Sequence, residues 1–152
     1  MFTQKIYPEI SQNPIYKLQF DGCSKGNPGP AGAGAVIYKN ENEIWSSNLF
    51  VGKHNTNNEA EYEGLIMGLE NAADLNIKVL HVEGDSMLVI KQMKGEYKVK
   101  SPNLIPLYEE AYVLTKFFDK IFFRHIYREK NKRADELSNQ SLIHVETKIN
   151  DC

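Results

Sequence analysis

The 152-residue chain lacks features that would place it in a membrane or a secretory pathway. No apolar run approaches the roughly 18 residues that a membrane-spanning helix needs, and the first residues contain no signal-peptide core. Two cysteines, Cys23 and Cys152, are too few for a disulfide framework. We therefore expect no membrane partner and a reducing, cytoplasmic setting, with the nucleus or an organelle as the alternative in a eukaryotic or viral source.

The chain also lacks both common glycine-rich nucleotide-binding motifs. It contains neither the Walker string G-x-x-x-x-G-K-[ST] nor the dinucleotide pattern G-x-G-x-x-G before a helix. Its glycines concentrate in DGCSKGNPGPAGAGAVIY, residues 21–38, where a β-branched strand follows them and no helix N-terminus is available to meet a phosphate. We interpret this segment as a connection between two strands, and we expect no organic cofactor.

Charge is distributed unevenly along the chain. Residues 1–90 carry 6 Lys or Arg against 11 Asp or Glu, whereas residues 91–133 carry 11 against 5. An ordinary solvated surface explains such a run. An acidic centre beside a basic surface explains it equally well, and a metal-dependent enzyme that acts on a polyanion needs that combination.

Hydrophobic periodicity predicts five strands and four helices. The predicted strands are 15–22, 32–39, 43–52, 77–85 and 120–128, and the predicted helices are 55–76, 86–95, 103–118 and 130–142. A three-stranded meander followed by alternating helices and strands favours a mixed sheet covered by helices. We expect one domain over residues 15–141 between two tails, residues 1–14 and 142–152.

Four carboxylates occupy positions at which chemistry is plausible. Asp21 ends the first predicted strand, Asp85 ends the fourth, and Asp135 opens the last helix. Each of these three has a simpler interpretation as a turn or helix cap. Glu61 is different because it shares the apolar stripe of the first helix, where an unpaired charge is expensive to bury.

The predicted topology connects these carboxylates. If the strands that end at Asp21 and Asp85 are parallel neighbours, both residues lie at a switch point, where open α/β sheets bind ligands. Carboxylates gathered there repel one another unless cations lie between them, and oxygen-only ligands suit Mg²⁺ or Mn²⁺. Two such ions together can activate a water and stabilise a leaving oxygen on a phosphate.

Four segments of the chain, in this order, resemble the type 1 ribonucleases H: DGCSKGNPGPAGAG, TNNEAEYEGLIMGL, EGDSMLVI and HIYREKNKRADELS. The resemblance covers residues 15–141. It implies the ribonuclease H-like α/β fold, with a mixed five-stranded sheet in the order 3-2-1-4-5, strand 2 antiparallel and helices on its flanks. It also implies an endonuclease that cleaves the RNA strand of RNA–DNA hybrids and leaves 3′-hydroxyl and 5′-phosphate ends. Two Mg²⁺ or Mn²⁺ ions would be held by Asp21, Glu61, Asp85 and Asp135.

The same resemblance implies where the hybrid is contacted. Contacts to the RNA minor groove and its 2′-hydroxyls, the groups that distinguish RNA from DNA, fall on Gly22, Ser24, Asn27, Asn57 and Asn58. Contacts to a phosphate of the DNA strand fall on Thr56 and Asn103.

The chain departs from the family pattern in two places. It has no basic, tryptophan-bearing insertion after the second helix, and in this it resembles archaeal, plant-type and some retroelement or viral members, which also lack the insertion. Substrate binding is then expected to depend on lysines such as Lys94 and Lys98. His125 has the spacing before Asp135 of a family histidine that assists product release, but it lies in a predicted strand. A plain strand histidine is the alternative for His125, and Arg128 is a second candidate for its role.

Two other functions remain open at this point. One is a non-catalytic hybrid-binding or interaction module on the same fold, against which the four intact acids argue. The other is a related nuclease that acts on double-stranded RNA. The start methionine favours a free-standing enzyme, which we expect to be a monomer.

Overall fold

The computed structural model describes residues 13–143. Its five strands are β1 (Tyr16–Ser24), β2 (Gly29–Lys39), β3 (Asn42–Asn55), β4 (Val79–Gly84) and β5 (Lys120–His125). Its four helices are α1 (Asn57–Asp74), α2 (Met87–Met93), α3 (Ile105–Thr115) and α4 (Lys132–Gln140), and a short 3₁₀ helix, Arg128–Lys130, precedes α4. The predicted tails, residues 1–14 and 142–152, lie almost entirely outside the described residues.

The strands form one mixed sheet in the order β3-β2-β1-β4-β5. β2 pairs antiparallel with both β1 and β3, whereas β4 pairs parallel with β1 and with β5. This confirms the ribonuclease H-like sheet that the resemblance implied. In the parallel register of β1 and β4, Phe20 lies opposite Gly84, so the next residues, Asp21 and Asp85, come together where β4 ends.

Helices cover both faces of the sheet. Side chains alternate between the faces of a strand, and Leu18, Phe20, Leu80 and Val82 point into a core that is closed by α1, α2 and α3. On the opposite face α4 packs against β1, β2 and β3, through a smaller apolar cluster of α4 and β2 residues. The strand β1, which carries Asp21, therefore runs between α1 on one side and α4 on the other.

The glycine-rich segment differs from its predicted form. β1 continues through Ser24, and its partner Ala31 belongs to β2, so only residues 25–28 form the turn. Asp21 is thus an internal strand residue opposite Gly34. The small residues of this hairpin extend both strands because they allow helices to approach closely from both faces. At the turn, Gly26 and Asn27 both have a positive φ, 112° and 36°, a conformation that glycine and asparagine adopt more readily than other residues.

Other differences lie at element ends. The predicted helix 55–76 begins at Asn57, and Thr56 caps it through a capping box with Glu59. The predicted strand 120–128 ends at His125, and a 3₁₀ turn replaces its last residues. The predicted helix 103–118 begins at Ile105, with Pro106 in its first turn, where proline is tolerated.

One structural feature bears on the expected setting of the chain. Within residues 13–143, no helix has the length and apolar character required to cross a membrane. The reducing setting and the cytoplasmic location stay predictions.

Candidate active site

Three of the four predicted acids form one group at the carboxyl end of the parallel strands. Asp21 comes from β1, Glu61 from α1 and Asp85 from the residue after β4, and one carboxylate oxygen of each lies within 4.8 Å of the others. Asp135, from the first turn of α4, lines the same pocket of about 290 Å³. We call Asp21, Glu61 and Asp85 the acidic triad.

Glycine brings Glu61 to the triad. A Cβ on Gly22 would lie 2.2 Å from the main-chain carbon of Ala60, and a Cβ on Gly64 would lie 2.7 Å from the carbonyl oxygen of Asp21. Because both positions lack side chains, the first turns of α1 pack directly on β1. The Gly22 N–H then lies close enough to the Glu61 carboxylate to offset part of the rise in its pKa.

Capping roles do not account for the three aspartates. α2 is capped by Ser86, whose hydroxyl accepts a hydrogen bond from the Val89 N–H at 3.2 Å, so Asp85 is not the cap. The N-cap of α4 is Asn131, and Asp135 lies inside the helix. Asp21 is part of a strand rather than a turn. The simpler interpretations of these residues as caps are therefore wrong.

The triad is electrostatically strained without a cation. Asp21 and Glu61 are only 5% and 7% exposed. Burial, reinforced by the charge of Asp85, raises the pKa of Asp21 to about 8. Burial and the neighbouring Asp21 raise the pKa of Glu61 well above its ordinary value, and burial also raises that of Asp85. Glu61 Oε1 is buried and finds no hydrogen-bond partner among the described residues. An oxygen-only donor set with an orphaned carboxylate oxygen fits a hard divalent cation.

Asp135 lies at the mouth of the pocket with a basic neighbour. Its Oδ1 is 3.7 Å from the Arg128 guanidinium and accepts a hydrogen bond from Asn139 Nδ2 at 3.3 Å. Arg128 itself lines the pocket. His125, the last residue of β5, lies opposite Gly84 and packs edge-on against Tyr127; it does not appear among the described residues that line the pocket.

The predicted minor-groove residues form a hydrogen-bonded surface beside the triad. The Ser24 N–H donates to Asn57 Oδ1 at 2.7 Å, and the Asn57 N–H donates to Asn27 Oδ1 at 2.9 Å. The Ser24 hydroxyl donates to the Asn55 carbonyl at 2.6 Å. These bonds fix the turn after β1 against the start of α1, and Gly22 and Asn57 reach the acidic pocket itself.

The predicted phosphate contacts meet in a second cleft of about 450 Å³, which we call the polar cleft. Its lining includes Asn27, Thr56, Asn58, Lys98, Lys100 and Asn103. Of the two lysines proposed for substrate grip, Lys98 lines this cleft. Lys94 lies elsewhere, and its ammonium is 3.3 Å from a carboxylate oxygen of Glu96.

Sequence reasoning missed two fully buried residues that touch the acids, Asn131 and Ser138. Asn131 Nδ2 lies 3.3 Å from Asp85 Oδ2, and Ser138 Oγ lies 3.2 Å from Asp21 Oδ2. A signal for both was present, because they lie four residues before and three residues after Asp135. That spacing places all three residues on one face of a helix.

Comparison with known proteins agrees with this fold and pocket. The family model described as "Reverse transcriptase-like" matches residues 19–141, and the chain belongs to this ribonuclease H-like family. The chain is 42% identical to the "Bifunctional protein Rv2228c" of Mycobacterium tuberculosis over 127 residues, which is 82% of this chain and 35% of that protein. It is 40% identical to "Ribonuclease HI" of Halobacterium salinarum over 123 residues, or 81% of this chain and 62% of the relative. The chain thus spans between about one third and two thirds of the length of these relatives.

Solved structures show the same architecture. The N-terminal RNase H domain of Rv2228c superposes with a TM-score of 0.82 at 40% identity, covering 86% of this chain and 95% of that chain. LC11-RNase H1, whose crystal structure is of a complex with an RNA/DNA hybrid, superposes with a TM-score of 0.79 at 37% identity, covering 84% of this chain and 96% of that chain.

Proposed function

We propose that this protein is an endoribonuclease that hydrolyses the RNA strand of RNA–DNA hybrids and leaves 3′-hydroxyl and 5′-phosphate ends. The observation that carries the proposal is the acidic triad, in which the buried carboxylates of Asp21 and Glu61 meet the half-buried carboxylate of Asp85 where β4 ends beside β1, with no ion pair to any of the three among the described residues. Relatives named as ribonucleases H support the same chemistry. Under this proposal the protein acts as a monomer.

The site is suited to two divalent cations, Mg²⁺ or Mn²⁺, with Asp21, Glu61, Asp85 and Asp135 as ligands. Such ions, when bound, would supply an activated water and stabilise the leaving oxygen. The chain's own contribution is to hold these carboxylates on rigid strands and helix starts. Gly22 brings Glu61 to the pocket because it lets the start of α1 pack directly on β1, and the orphaned Oε1 of Glu61 is left for a ligand.

The surface formed by Gly22, Ser24, Asn27 and Asn57 is proposed to read the RNA minor groove. Its hydrogen bonds already fix the Asn57 side chain next to the acidic pocket. Amide groups of asparagine both donate and accept, so they can bond a 2′-hydroxyl that DNA lacks. Asn58 lies farther along, in the polar cleft. This surface would therefore select the strand that is presented to the acids.

The polar cleft is proposed to bind a phosphate of the DNA strand. Thr56, Asn103 and the ammonium groups of Lys98 and Lys100 converge there, and Lys94 would add charge on a neighbouring surface. Phosphate contacts position the duplex without reading its sequence. For turnover, Arg128 is the better placed of the two candidates because it lines the acidic pocket, and His125 remains the candidate that family spacing suggests.

The direct test compares four reactions on three end-labelled duplexes of one sequence: RNA–DNA hybrid, double-stranded RNA and double-stranded DNA with divalent cation, and the hybrid without it. We expect cleavage of the RNA strand of the hybrid only, in the presence of Mg²⁺ or Mn²⁺, with 3′-hydroxyl ends. Cleavage of double-stranded RNA at a comparable rate would replace the proposed substrate. Binding of hybrid without cleavage under any divalent cation would make the protein a non-catalytic hybrid-binding module.

A further inference from the structure

Two polar side chains are completely buried where α4 meets the sheet. Asn131, the N-cap of α4, and Ser138, one turn from its end, are both 0% exposed. Burying a polar side chain is unfavourable unless it makes hydrogen bonds. The partners of these two residues therefore indicate what they do.

Asn131 ties together three elements that carry acids. Its Nδ2 donates to the Phe20 carbonyl in β1 at 2.9 Å and to Asp85 Oδ2 at 3.3 Å. The main-chain carbonyl of Asn131 accepts a hydrogen bond from the Asp135 N–H at 3.1 Å. A primary amide has two N–H donors, and both are committed here. Asn131 thus sets the distance between the residue that precedes Asp21, the Asp85 carboxylate and the backbone of Asp135.

Ser138 performs a similar task for Asp21. Its hydroxyl has two acceptors within reach, Asp21 Oδ2 at 3.2 Å and the Asp135 carbonyl at 2.8 Å, and its single proton serves one of them at a time. Gly34 permits this approach, because a Cβ there would lie 2.7 Å from the Ser138 main-chain nitrogen. An alanine at position 138 would preserve the helix and its packing, since Ala134 and Leu137 provide the apolar contacts of α4. The hydroxyl is therefore not needed to attach the helix.

We propose that Asn131 and Ser138 are positioning residues, which hold the carboxylates of Asp85 and Asp21 in the arrangement that binds divalent cations. This inference rests on the proposed function of the acidic triad. One face of α4 would then carry a cation ligand, Asp135, between two neutral groups that orient the ligands supplied by β1 and the end of β4.

Neutral hydrogen-bonding groups suit this role. A lysine or arginine in the same places would neutralise the triad and compete with the cation, whereas an amide and a hydroxyl orient a carboxylate and leave its charge in place. Groups that hydrogen-bond metal ligands typically change metal affinity or activity by roughly 10- to 100-fold when they are removed. The expected effect is therefore on cation affinity first.

The test compares Ser138→Ala with a matched control, Ser141→Ala. Ser141 lies at the end of the same helix, and its hydroxyl donates to the Ser138 carbonyl at 2.7 Å without touching an acid. Mn²⁺ binding is measured by calorimetry, hybrid cleavage is measured across Mn²⁺ concentrations, and folding is followed by thermal melting. We expect Ser138→Ala to weaken Mn²⁺ binding by roughly 10-fold. Its KM for hybrid and its melting temperature without metal should stay close to those of the wild type.

Asn131→Ala is expected to weaken Mn²⁺ binding by up to about 100-fold and to lower stability, because the Phe20 carbonyl loses its donor. If this variant does not fold, Asn131→Ser is measured in its place; its single hydroxyl proton cannot serve both acceptors, so the same direction is expected. Raising the Mn²⁺ concentration should restore kcat in the folded variants, which a purely structural defect would not do.

The outcomes separate this inference from the proposed function. If the wild type neither binds Mn²⁺ nor cleaves hybrid, the proposed function fails. If the wild type does both, and folded Ser138 and Asn131 variants bind Mn²⁺ as tightly as Ser141→Ala, only the positioning role is overturned. Loss of Mn²⁺ affinity in Ser141→Ala equal to that in Ser138→Ala would also overturn it, because the effect would then belong to the helix end in general.

Discussion

Glu83 and Asp21, a member of the acidic triad, are buried carboxylates of one sheet with opposite electrostatic outcomes. Glu83 is 4% exposed and Asp21 is 5% exposed. Burial alone would raise the pKa of Glu83, but hydrogen bonds from Gln19, at 2.7 Å, and from Arg124 leave that pKa below its ordinary value. Asp21 has carboxylates as its charged neighbours, and its pKa is raised to about 8.

The difference shows that burial does not by itself mark a functional acid. The Glu83 charge is compensated within the protein, and its role is explained by the stability of β1, β4 and β5. Arg128 and His125 offset part of the Asp85 charge, but burial and mutual repulsion still raise the pKa values of all three acids of the triad. An excess of negative charge of this kind is tolerated at a site that binds a cation. The four predictions below test this contrast between Glu83 and the triad.

The largest expected effect is on cleavage. Asp85→Asn keeps the shape of the side chain but replaces a charged ligand oxygen with a neutral amide, so we expect Mg²⁺-dependent cleavage of hybrid to fall by roughly 10³-fold or more. Hybrid should bind at least as tightly, because one negative charge near the scissile phosphate is removed. Glu83→Gln, the matched control, should cleave near the wild-type rate.

Single-turnover cleavage and a filter-binding assay on the same preparations measure both quantities. Substantial Mg²⁺-dependent cleavage by Asp85→Asn would remove the triad from the chemistry. An equal loss in Glu83→Gln would show that the two groups of carboxylates do not differ in the way proposed here.

The next effect concerns the basic neighbour of Asp135. We expect Arg128→Ala to lower turnover by roughly 10- to 100-fold, and to lower it more than His125→Ala does, because only Arg128 lines the pocket. Arg133→Ala is the control, since that arginine bonds Glu43 and Glu136 outside the pocket. Steady-state turnover and hybrid affinity distinguish the variants. A larger loss in His125→Ala would restore the histidine that the family spacing suggests.

A smaller effect is expected on substrate affinity. Lys98→Ala should weaken hybrid binding by roughly 5-fold. It should also reduce the slope of log affinity against log salt concentration by about the contribution of one phosphate contact. Lys94→Ala should have less effect, because Lys94 lies outside the polar cleft and next to Glu96. Affinity measured at several salt concentrations gives both quantities, with Lys39→Ala at the end of β2 as the control. An unchanged slope in Lys98→Ala would move the phosphate contacts elsewhere.

The smallest effect is on the stability of the metal-free protein. A carboxyl group whose pKa is higher in the folded than in the unfolded state holds its proton more tightly when folded. The free energy of unfolding therefore falls as pH rises from near the ordinary value of 3.8 for Asp21 towards its folded value of about 8. Neutralising Asp21 should remove this penalty. Glu83 behaves in the opposite way, since its lowered pKa contributes stability that is lost as pH falls.

We therefore expect Asp21→Asn to raise the melting temperature of the metal-free protein by about 4 °C near pH 8 and to change it little near pH 4. Glu83→Gln should lower the melting temperature at neutral pH. Thermal melting in the presence of a chelator at the two pH values checks the direction of the change in melting temperature for both variants. A fall in melting temperature for Asp21→Asn near pH 8 would mean that the triad is compensated without metal.

Much of this arrangement could be predicted from the sequence. The alternation of Leu18 and Phe20 with polar residues located β1, and the position of Glu61 on an apolar stripe identified an acid with no structural explanation. Four motifs in register supplied the sheet order. Local patterns and motif spacing were sufficient here because strand alternation and helix periodicity decide which face each residue occupies.

The remaining features depend on contacts between distant parts of the chain. The sequence alone could not exclude helix-capping roles for Asp85 and Asp135. The structure excludes them because Ser86 and Asn131 are the N-cap residues of α2 and α4. The pairing of Glu83 with Arg124 joins residues 41 positions apart. Likewise, the extension of β1 past Asp21 reflects the close packing of helices on a glycine hairpin. No local pattern encodes these distances.

Metal binding tests the central claim most directly. Calorimetric titration of Mn²⁺ into the wild type, Asp21→Asn and Glu83→Gln compares the triad with the compensated carboxylate in one measurement. We predict that the wild type and Glu83→Gln bind Mn²⁺ with the same affinity, and that Asp21→Asn binds it roughly 100-fold more weakly. Wild-type affinity in Asp21→Asn, or loss of binding in Glu83→Gln, would contradict the assignment of the acidic triad as the cation site.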